Sequence, residues 1–301
     1  MIKELEYILT IAEEKNISRA AQKLNITQSS LSQFLSTYEA NLGCQLFIRT
    51  SSGTQLTYSG ELFIKYAQRA VFDYNQIRNR LSDVNHLKLG KIKFAVGPER
   101  GSHLIPPILR SFHDKYPDIY VDIIQRNSNE CISLLMDASV DLALLAIPRS
   151  LPRVPTEFIR KEEILILAST HHPVLNFAYR VSPSDLRLHI DLRDAARFDF
   201  ILTSPNTVLR NVIEDLFREE SLKLQYHYDN VTLAFGIAMA KQGFGLLIAQ
   251  ESLVEDSPDI VRLSIGRSGQ FRSMVLAYPT NQYRSVATKA FAKEIHDALD
   301  L

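Results

Sequence analysis

Residues 18–43 read SRAAQKLNITQSSLSQFLSTYEANLG, the pattern of two short helices meeting at a tight turn. Leu31, Phe34, Leu35, Tyr38 and Leu42 recur at helical spacing and predict one apolar face on the second helix. Ser29, Ser32, Gln33 and Ser36 fall on the opposite face. A helix with one buried side and one row of short amides and hydroxyls fits the major groove of DNA, where base edges offer donors and acceptors. Thr27 is placed to cap this helix, and Gly43 to end it in the left-handed conformation. Ser18 is the expected cap of the first helix, which should bury Ala20, Ala21 and Leu24, with Asn25 and Ile26 in the turn. The same spacing also describes an ordinary helical hairpin inside a core.

Working outward, residues 2–14 predict an amphipathic helix with Leu5, Ile8, Leu9 and Ala12 on one face. After Gly43, the apolar run 46–48 is followed by Thr50, Ser51, Ser52 and Gly53, and a second run returns over 55–57. This predicts a small β-hairpin beside the second helix, with Arg49 at its root, in reach of a phosphate.

The order and spacing of AAQKLNITQSSLS, LG, LFIR and LTYSG resemble the DNA-binding domain of LysR-type transcriptional regulators, over roughly residues 1–62. The resemblance implies an N-terminal winged helix-turn-helix, a long linker helix and a C-terminal two-lobed α/β domain like a periplasmic binding protein, α/β overall. Carried over by position, Gln28, Ser29 and Gln33 would face base edges. Thr27, Ser32, Arg49, Ser51 and Ser52 would lie near the DNA backbone. The chain departs from the family where arginine or lysine is common: 28–42 contains no basic residue. In residues 1–60 the bases Lys3, Lys15, Arg19, Lys23 and Arg49 are matched by Glu4, Glu6, Glu13, Glu14 and Glu39. Few phosphate contacts and a shallow salt dependence are therefore expected, with dimerisation supplying much of the affinity.

Residues 57–89 predict one long helix. Phe63, Ala67, Ala70, Tyr74, Ile77, Leu81 and Val84 alternate spacings of four and three, the seam of a coiled coil. The seam needs a partner, either a second chain or the chain's own effector domain. The resemblance implies a dimer, or a tetramer, held through paired linker helices. The expected division is 1–58 for the DNA-binding domain, 59–89 for the linker and 90–301 for the effector domain. One lobe would take about 91–163 and 269–301, the other about 165–266, with hinges near Glu162 and Gly266.

Beyond Gly90, strands are predicted over 91–96, 119–125 and 141–147, with helices over 104–115 and 129–138 between them. That alternation predicts a parallel sheet with right-handed crossovers. Further strands are expected over 164–168, 200–202, 225–228, 243–248 and 274–278, and helices over 207–219, 231–241 and 284–299. A cleft between the lobes would receive its ligand at strand ends and helix N-termini. Its candidate residues are Pro98, Glu99, Arg100, Ser102 and His103 in the loop after the first strand, then Asn127 and Ser128, then Pro148 and Arg149. Thr203, Ser204, Asn206, Asn230 and Thr232 complete the set. Arg100 and Arg149 suit a carboxylate, and Glu99 suits an amine or hydroxyl beside it, so the effector expected is a small carboxylate or an amino acid.

The totals agree with a globular protein of about two domains: 301 residues, 46% hydrophobic, 23% charged, net charge +0. A neutral chain is not a sequence-blind DNA coat. The start lacks a cleavage-site pattern and no apolar run approaches the length of a membrane span, so a cytoplasmic protein is expected. Cys44 and Cys131 are far apart and read as reduced thiols, most simply small buried hydrophobes. His171 and His172 are adjacent and make a poor metal pair. Gly243 and Gly245 fail a dinucleotide fingerprint because Ile248 stands where the third glycine belongs. No catalytic constellation, cofactor or metal is expected. The expected partners are operator DNA, a second copy of the chain and RNA polymerase. The rival class is a ligand-binding or enzymatic α/β protein whose N-terminal helices only mediate assembly; for that role the face Gln28, Ser29, Ser32, Gln33 should be apolar.

Overall fold

The computed structural model describes residues 2–50, 53–84, 90–147, 154–205, 207–280 and 282–299. Helices α1 (Ile2–Glu14), α2 (Ile17–Lys23) and α3 (Gln28–Leu42) close over a core of Ile8, Ile11, Ala20, Leu31 and Leu35. Asn16, not Ser18, caps α2: its side chain accepts from the Arg19 N–H at 3.0 Å. Buried Ile17 already belongs to the helix, so the cap must precede it. The Thr27 hydroxyl accepts from the Ser30 N–H, and Gly43 ends α3 at φ 71°. Leu42 is 42% exposed, because the last residue of α3 overhangs the core that ends at Tyr38.

A hairpin of β1 (Phe47–Thr50) and β2 (Gly53–Leu56) forms the wing. Glu39 fastens it to α3, its carboxylate accepting from the N–H groups of Leu46 and Phe47 at 2.7 and 3.0 Å. Helix α4 (Tyr58–Val84) starts against the wing. The Thr57 hydroxyl accepts from the Gly60 N–H at 2.9 Å, and a Cβ on Gly60 would sit 2.0 Å from the Leu46 carbonyl. Threonine then glycine three residues on in LTYSG is thus a helix cap followed by a close backbone approach.

The seam on α4 divides in two. Phe63, Ala67 and Ala70 pack with Val71 against Ile2, Leu5 and Leu9 of α1. Tyr74, Ile77 and Leu81 are exposed. The partner of the first half is neither of the two expected, a second chain or the effector domain: it is α1 of the DNA-binding domain. Helix α4 ends at Val84, and residues 85–89 lie outside the described residues.

The second half of the chain runs β3 (Gly90–Val96), α5 (Pro98–His103), α6 (Ile105–Lys115), β4 (Ile119–Gln125), α7 (Ser128–Met136), β5 (Leu142–Ile147) and β6 (Thr156–Ser169). It continues through β7 (Leu188–Ile190), α8 (Leu192–Ala195), β8 (Phe200–Thr203), α9 (Val208–Glu219), β9 (Tyr226–Val231) and α10 (Leu233–Lys241). It closes with β10 (Leu246–Gln250), β11 (Ile260–Ile265), β12 (Gln270–Ala277) and α11 (Val286–Leu299). The sheet path is β4-β3-β5-β12-β6-β10-β8-β9, with β11 and β7 branching from β6.

Several expectations change here. The stretch 98–103, expected as a loop, is helical, started by Pro98, whose missing N–H needs no partner in a first turn. The sheet is mixed: β3 is parallel to β4 and β5, and β8 to β9 and β10, but β12 runs antiparallel to β5 and β6. The reason is β6, predicted only over 164–168. It is fourteen residues long. Its first part pairs with β12 and its last with β10 and β11. It carries the chain across from one core, around Phe94, Phe112 and Phe291, to another, around Phe200, Ile213 and Leu247. Glu162 therefore lies inside a continuous strand, while Gly266, at φ 68°, lies in the turn between β11 and β12. Asn230 sits in β9 rather than in a loop, and β7 and β11 were not anticipated because their few residues show no clean alternation.

Candidate functional site

Two surfaces carry chemistry. On α3, Leu31 and Leu35 face the core while Gln28, Ser29, Gln33 and Ser36 are exposed and Ser32 is half-buried. The hydroxyls mostly turn back on their own helix. Thr27 Oγ1 engages the hydroxyls of Ser29 and Ser30 as well as the Ser30 N–H, and Ser36 donates to the Ser32 carbonyl at 3.1 Å. Among the described residues the amides of Gln28 and Gln33 make no side-chain hydrogen bond, so both project free from the helix. Arg49 lies on β1 opposite Thr54. Ser51 and Ser52 lie outside the described residues.

Two of the nearby bases are engaged. Lys23 lies between Glu13 and Glu14 at 2.8 and 3.0 Å, and Arg19 reaches Glu14 at 3.2 Å. The bond to Lys23 holds the Glu14 carboxyl below its usual range.

The second surface is a cleft of about 300 Å³ where the two cores meet. It brings together Pro98, Glu99 and Arg100 of α5, Asn127 and Ser128 at the start of α7, Thr203 and Ser204 after β8, and Thr232 before α10. Thr207, Val231, Gln250 and Leu253 join them, and Val208, Leu209 and Leu233 line apolar wall. Asn127, Thr207 and Thr232 are the caps of α7, α9 and α10, so three helix N-termini open on this space. Such ends attract anions through their free N–H groups and positive dipole end. Ser102, His103 and Asn230 do not line it. Pro148, Arg149 and Asn206 lie outside the described residues.

Arg100 corrects the sequence reading most sharply. It is 6% exposed, and its Nη2 donates to Glu162 Oε2 at 2.6 Å. Glu162, 2% exposed, also accepts from the Ser252 hydroxyl through its other oxygen. The arginine charge is thus neutralised by a carboxylate of the crossover strand β6 and does not stand free for a ligand. Its Nε remains without a hydrogen-bond partner among the described residues, as does Nε2 of buried Gln250 beside the same cleft. Buried donors of this kind are rare and call for an explanation.

Residues 85–300 match the LysR substrate-binding domain, and residues 2–61 match the bacterial regulatory helix-turn-helix protein of the lysR family. This chain belongs to the LysR family. It is similar to the HTH-type transcriptional regulator YybE of Bacillus subtilis, 24% identical over 97% of each chain. It is also similar to the transcriptional activator IlvY of Salmonella typhimurium, 24% identical over 87% of this chain and 86% of that one. Among solved structures, full-length OxyR C199D from Pseudomonas aeruginosa shares the fold at TM-score 0.70 and 20% identity, covering 100% of this chain and 98% of that one. Full-length CbnR in complex with its target DNA does so at 0.67 and 17%, covering 99% of each.

The protein is therefore a LysR-type transcriptional regulator with a helix-turn-helix DNA-binding domain and an effector-binding domain. Within this LysR chain the sequence reading missed Thr207, Gln250 and the apolar wall. Thr207 carried a signal, a threonine just before an amphipathic helix; Gln250 carried none. Burial pushes the Cys131 thiol up to about 11, which keeps it protonated and unreactive, whereas Cys44 is exposed. His172 accepts from the Val174 N–H and caps a short turn at Pro173–Phe177, and burial lowers its affinity for a proton. No group of three or more His, Cys, Asp or Glu among the described residues is placed to hold a metal, and no described helix is long and apolar enough to cross a membrane.

Proposed function

We propose that this regulator reads its operator with Gln28 and Gln33 and answers to a small carboxylate or amino acid held in the interlobe cleft. The observation that carries the effector class is the pair of buried donors without partners among the described residues, Arg100 Nε and Gln250 Nε2, at a cleft where three helix N-termini converge. An acceptor-rich ligand answers those groups, and among the described lining residues the one cation, Arg100, is already neutralised by Glu162. Glu99, half-exposed at the mouth, is available to an ammonium on the same ligand.

On DNA, each glutamine amide can make a bidentate contact to adenine. Ser29 faces base edges beside them, and Thr27, Ser32, Arg49 and the wing residues Ser51 and Ser52 meet the DNA backbone. Two protomers join through the exposed part of α4, around Tyr74, Ile77 and Leu81, and place two recognition helices on neighbouring half-sites. Effector binding shifts the balance between lobe arrangements, and the paired helices then change their spacing on the operator and the access of RNA polymerase. The protein acts in the cytoplasm without catalysis, a cofactor or a metal.

A thermal-shift screen of small carboxylates and amino acids tests the effector class, since a ligand that binds only the folded state raises Tm. Hits should carry an acceptor group, and their shift should shrink in Gln250→Leu. A hit set made of uncharged apolar compounds, or a shift untouched by Gln250→Leu, would overturn the assignment.

A further inference from the structure

Glu162 and Glu163 are neighbours on β6, and successive strand residues point to opposite faces. Glu162 faces the cleft and is answered by Arg100 and Ser252. Glu163 faces away, is 4% exposed, and is not answered in the same way. Its nearest cation, Arg187, is 3.6 Å from Oε2 and lies closer to Asp185, at 3.2 Å. Oε1 has no hydrogen-bond partner among the described residues. A Cβ on Gly269 would come within 2.6 Å of that oxygen, so glycine there leaves it room.

Ser264 lies on the same side of the sheet. It pairs with Leu165, two residues along β6 from Glu163, is 1% exposed, and its hydroxyl is likewise unpartnered among the described residues. Both side chains line a groove of about 630 Å³ together with Glu251, Arg187, Asp256 and Arg262. Both guanidinium groups are held by other carboxylates, Arg187 by Asp185 and Arg262 by Asp256 at 2.9 Å. Leu165, Leu186, Leu188 and Val261 supply apolar wall.

We propose that this groove, on the face of β6 turned away from the cleft, is a second ligand site that takes a small alkyl amine. An ammonium has three donors and no acceptor. It answers a carboxylate and a hydroxyl lone pair of the groove lining, and a short alkyl chain lies along the leucines. A second ammonium at the far end meets Glu251, which is exposed on the rim. The chemistry is opposite to that of the cleft, where the unpartnered groups are donors, so the two sites select different ligands. The assignment does not depend on the effector proposed for the cleft.

Calorimetric titration of the full-length protein with 1,4-diaminobutane tests it, with 1,4-butanediol and magnesium chloride at matched ionic strength as controls. The diamine should bind saturably, the diol should not bind, and magnesium should give no matching heat. Glu163→Gln should weaken the diamine at least tenfold and Ser264→Ala several-fold, with circular dichroism checking that each variant is folded. Should Glu163→Gln fail to fold, Glu251→Gln on the rim provides the same readout, a several-fold loss. Equal affinity in a folded Glu163→Gln, no loss in Glu251→Gln, or a magnesium heat equal to that of the diamine would overturn the proposal.

Discussion

The recognition helix and the interlobe cleft solve opposite problems. Helix α3 offers its candidate contacts from one stretch of fifteen residues, on the outside, with its apolar side buried. The cleft draws on residues from Gly97 to Leu253, and its most deeply placed charge, Arg100, is paired inside the protein. A surface reader can leave polar groups to water until DNA replaces it. A buried pocket must satisfy each polar group or hold it for a ligand. Substitutions should therefore separate stability from function on α3 and mix them in the cleft.

The strongest way to break that contrast is Arg100→Ala. It leaves the Glu162 carboxylate buried with only the Ser252 hydroxyl, and removing one partner of a buried pair costs about 3–5 kcal/mol. Urea denaturation should show that loss, while Arg100→Met with Glu162→Leu should recover much of it. An unchanged midpoint for Arg100→Ala would mean that water reaches Glu162 and that the cleft floor is not sealed.

Next in size is Gln33→Ala, with Gln28→Ala beside it. Each should reduce operator discrimination by about 1–3 kcal/mol in a mobility-shift assay. Tm and the oligomer mass should stay unchanged, since both amides project free of the fold. Salt sharpens the same point. With Arg19 and Lys23 held by Glu13 and Glu14, the slope of log K against log salt should be shallower than the roughly −10 of a repressor that makes many phosphate contacts. A steep slope would point to phosphate contacts from outside residues 1–60.

Thr27→Ala should cost about 1 kcal/mol, the usual worth of an N-cap, read as a small drop in Tm. That change would blur the contrast a little, because one hydroxyl both caps α3 and lies at the end proposed to meet DNA.

The smallest effect expected is acid sensitivity in the effector domain. Hydrogen bonds from the Arg187 backbone and side chain, and one with His189, pull the Asp185 carboxyl down to about 2 from its ordinary 3.8. A carboxyl depressed in the folded state stabilises it above the unfolded value and loses that contribution as pH falls through the folded one. The Tm gap between wild type and Asp185→Asn should hold from pH 7 to pH 5 and close between about pH 4 and pH 2. A gap that persists at pH 2 would contradict the depressed value.

Much of the recognition surface was legible in the sequence because its information is local. Thr27, Gly43 and the apolar spacing of Leu31 and Leu35 need only the geometry of one helix. Strand positions 91–96 and 119–125 were legible for a similar reason, since β3 and β4 alternate with helices at short range. The α4 seam was legible as a pattern but not as a partner: the spacing of Phe63 and Ala67 is the same whether α1 or another chain covers them. Leu42 went wrong in the opposite way, fitting the apolar spacing at a position where the core had already ended.

What the amino-acid order determined by itself was periodicity: which helix faces are apolar, where they are capped, and the alternation of strands and helices. What the tertiary structure alone decided was pairing. Arg100 found Glu162 sixty-two residues away, Glu163 on the opposite face found no hydrogen-bond partner among the described residues for one of its oxygens, and β6 ran on across both cores. Helical and strand periods arise from bonds between near neighbours and are written in every short window of the chain. Ion pairs and orphaned donors depend on which distant segments the packed cores bring together, and no short window holds both members.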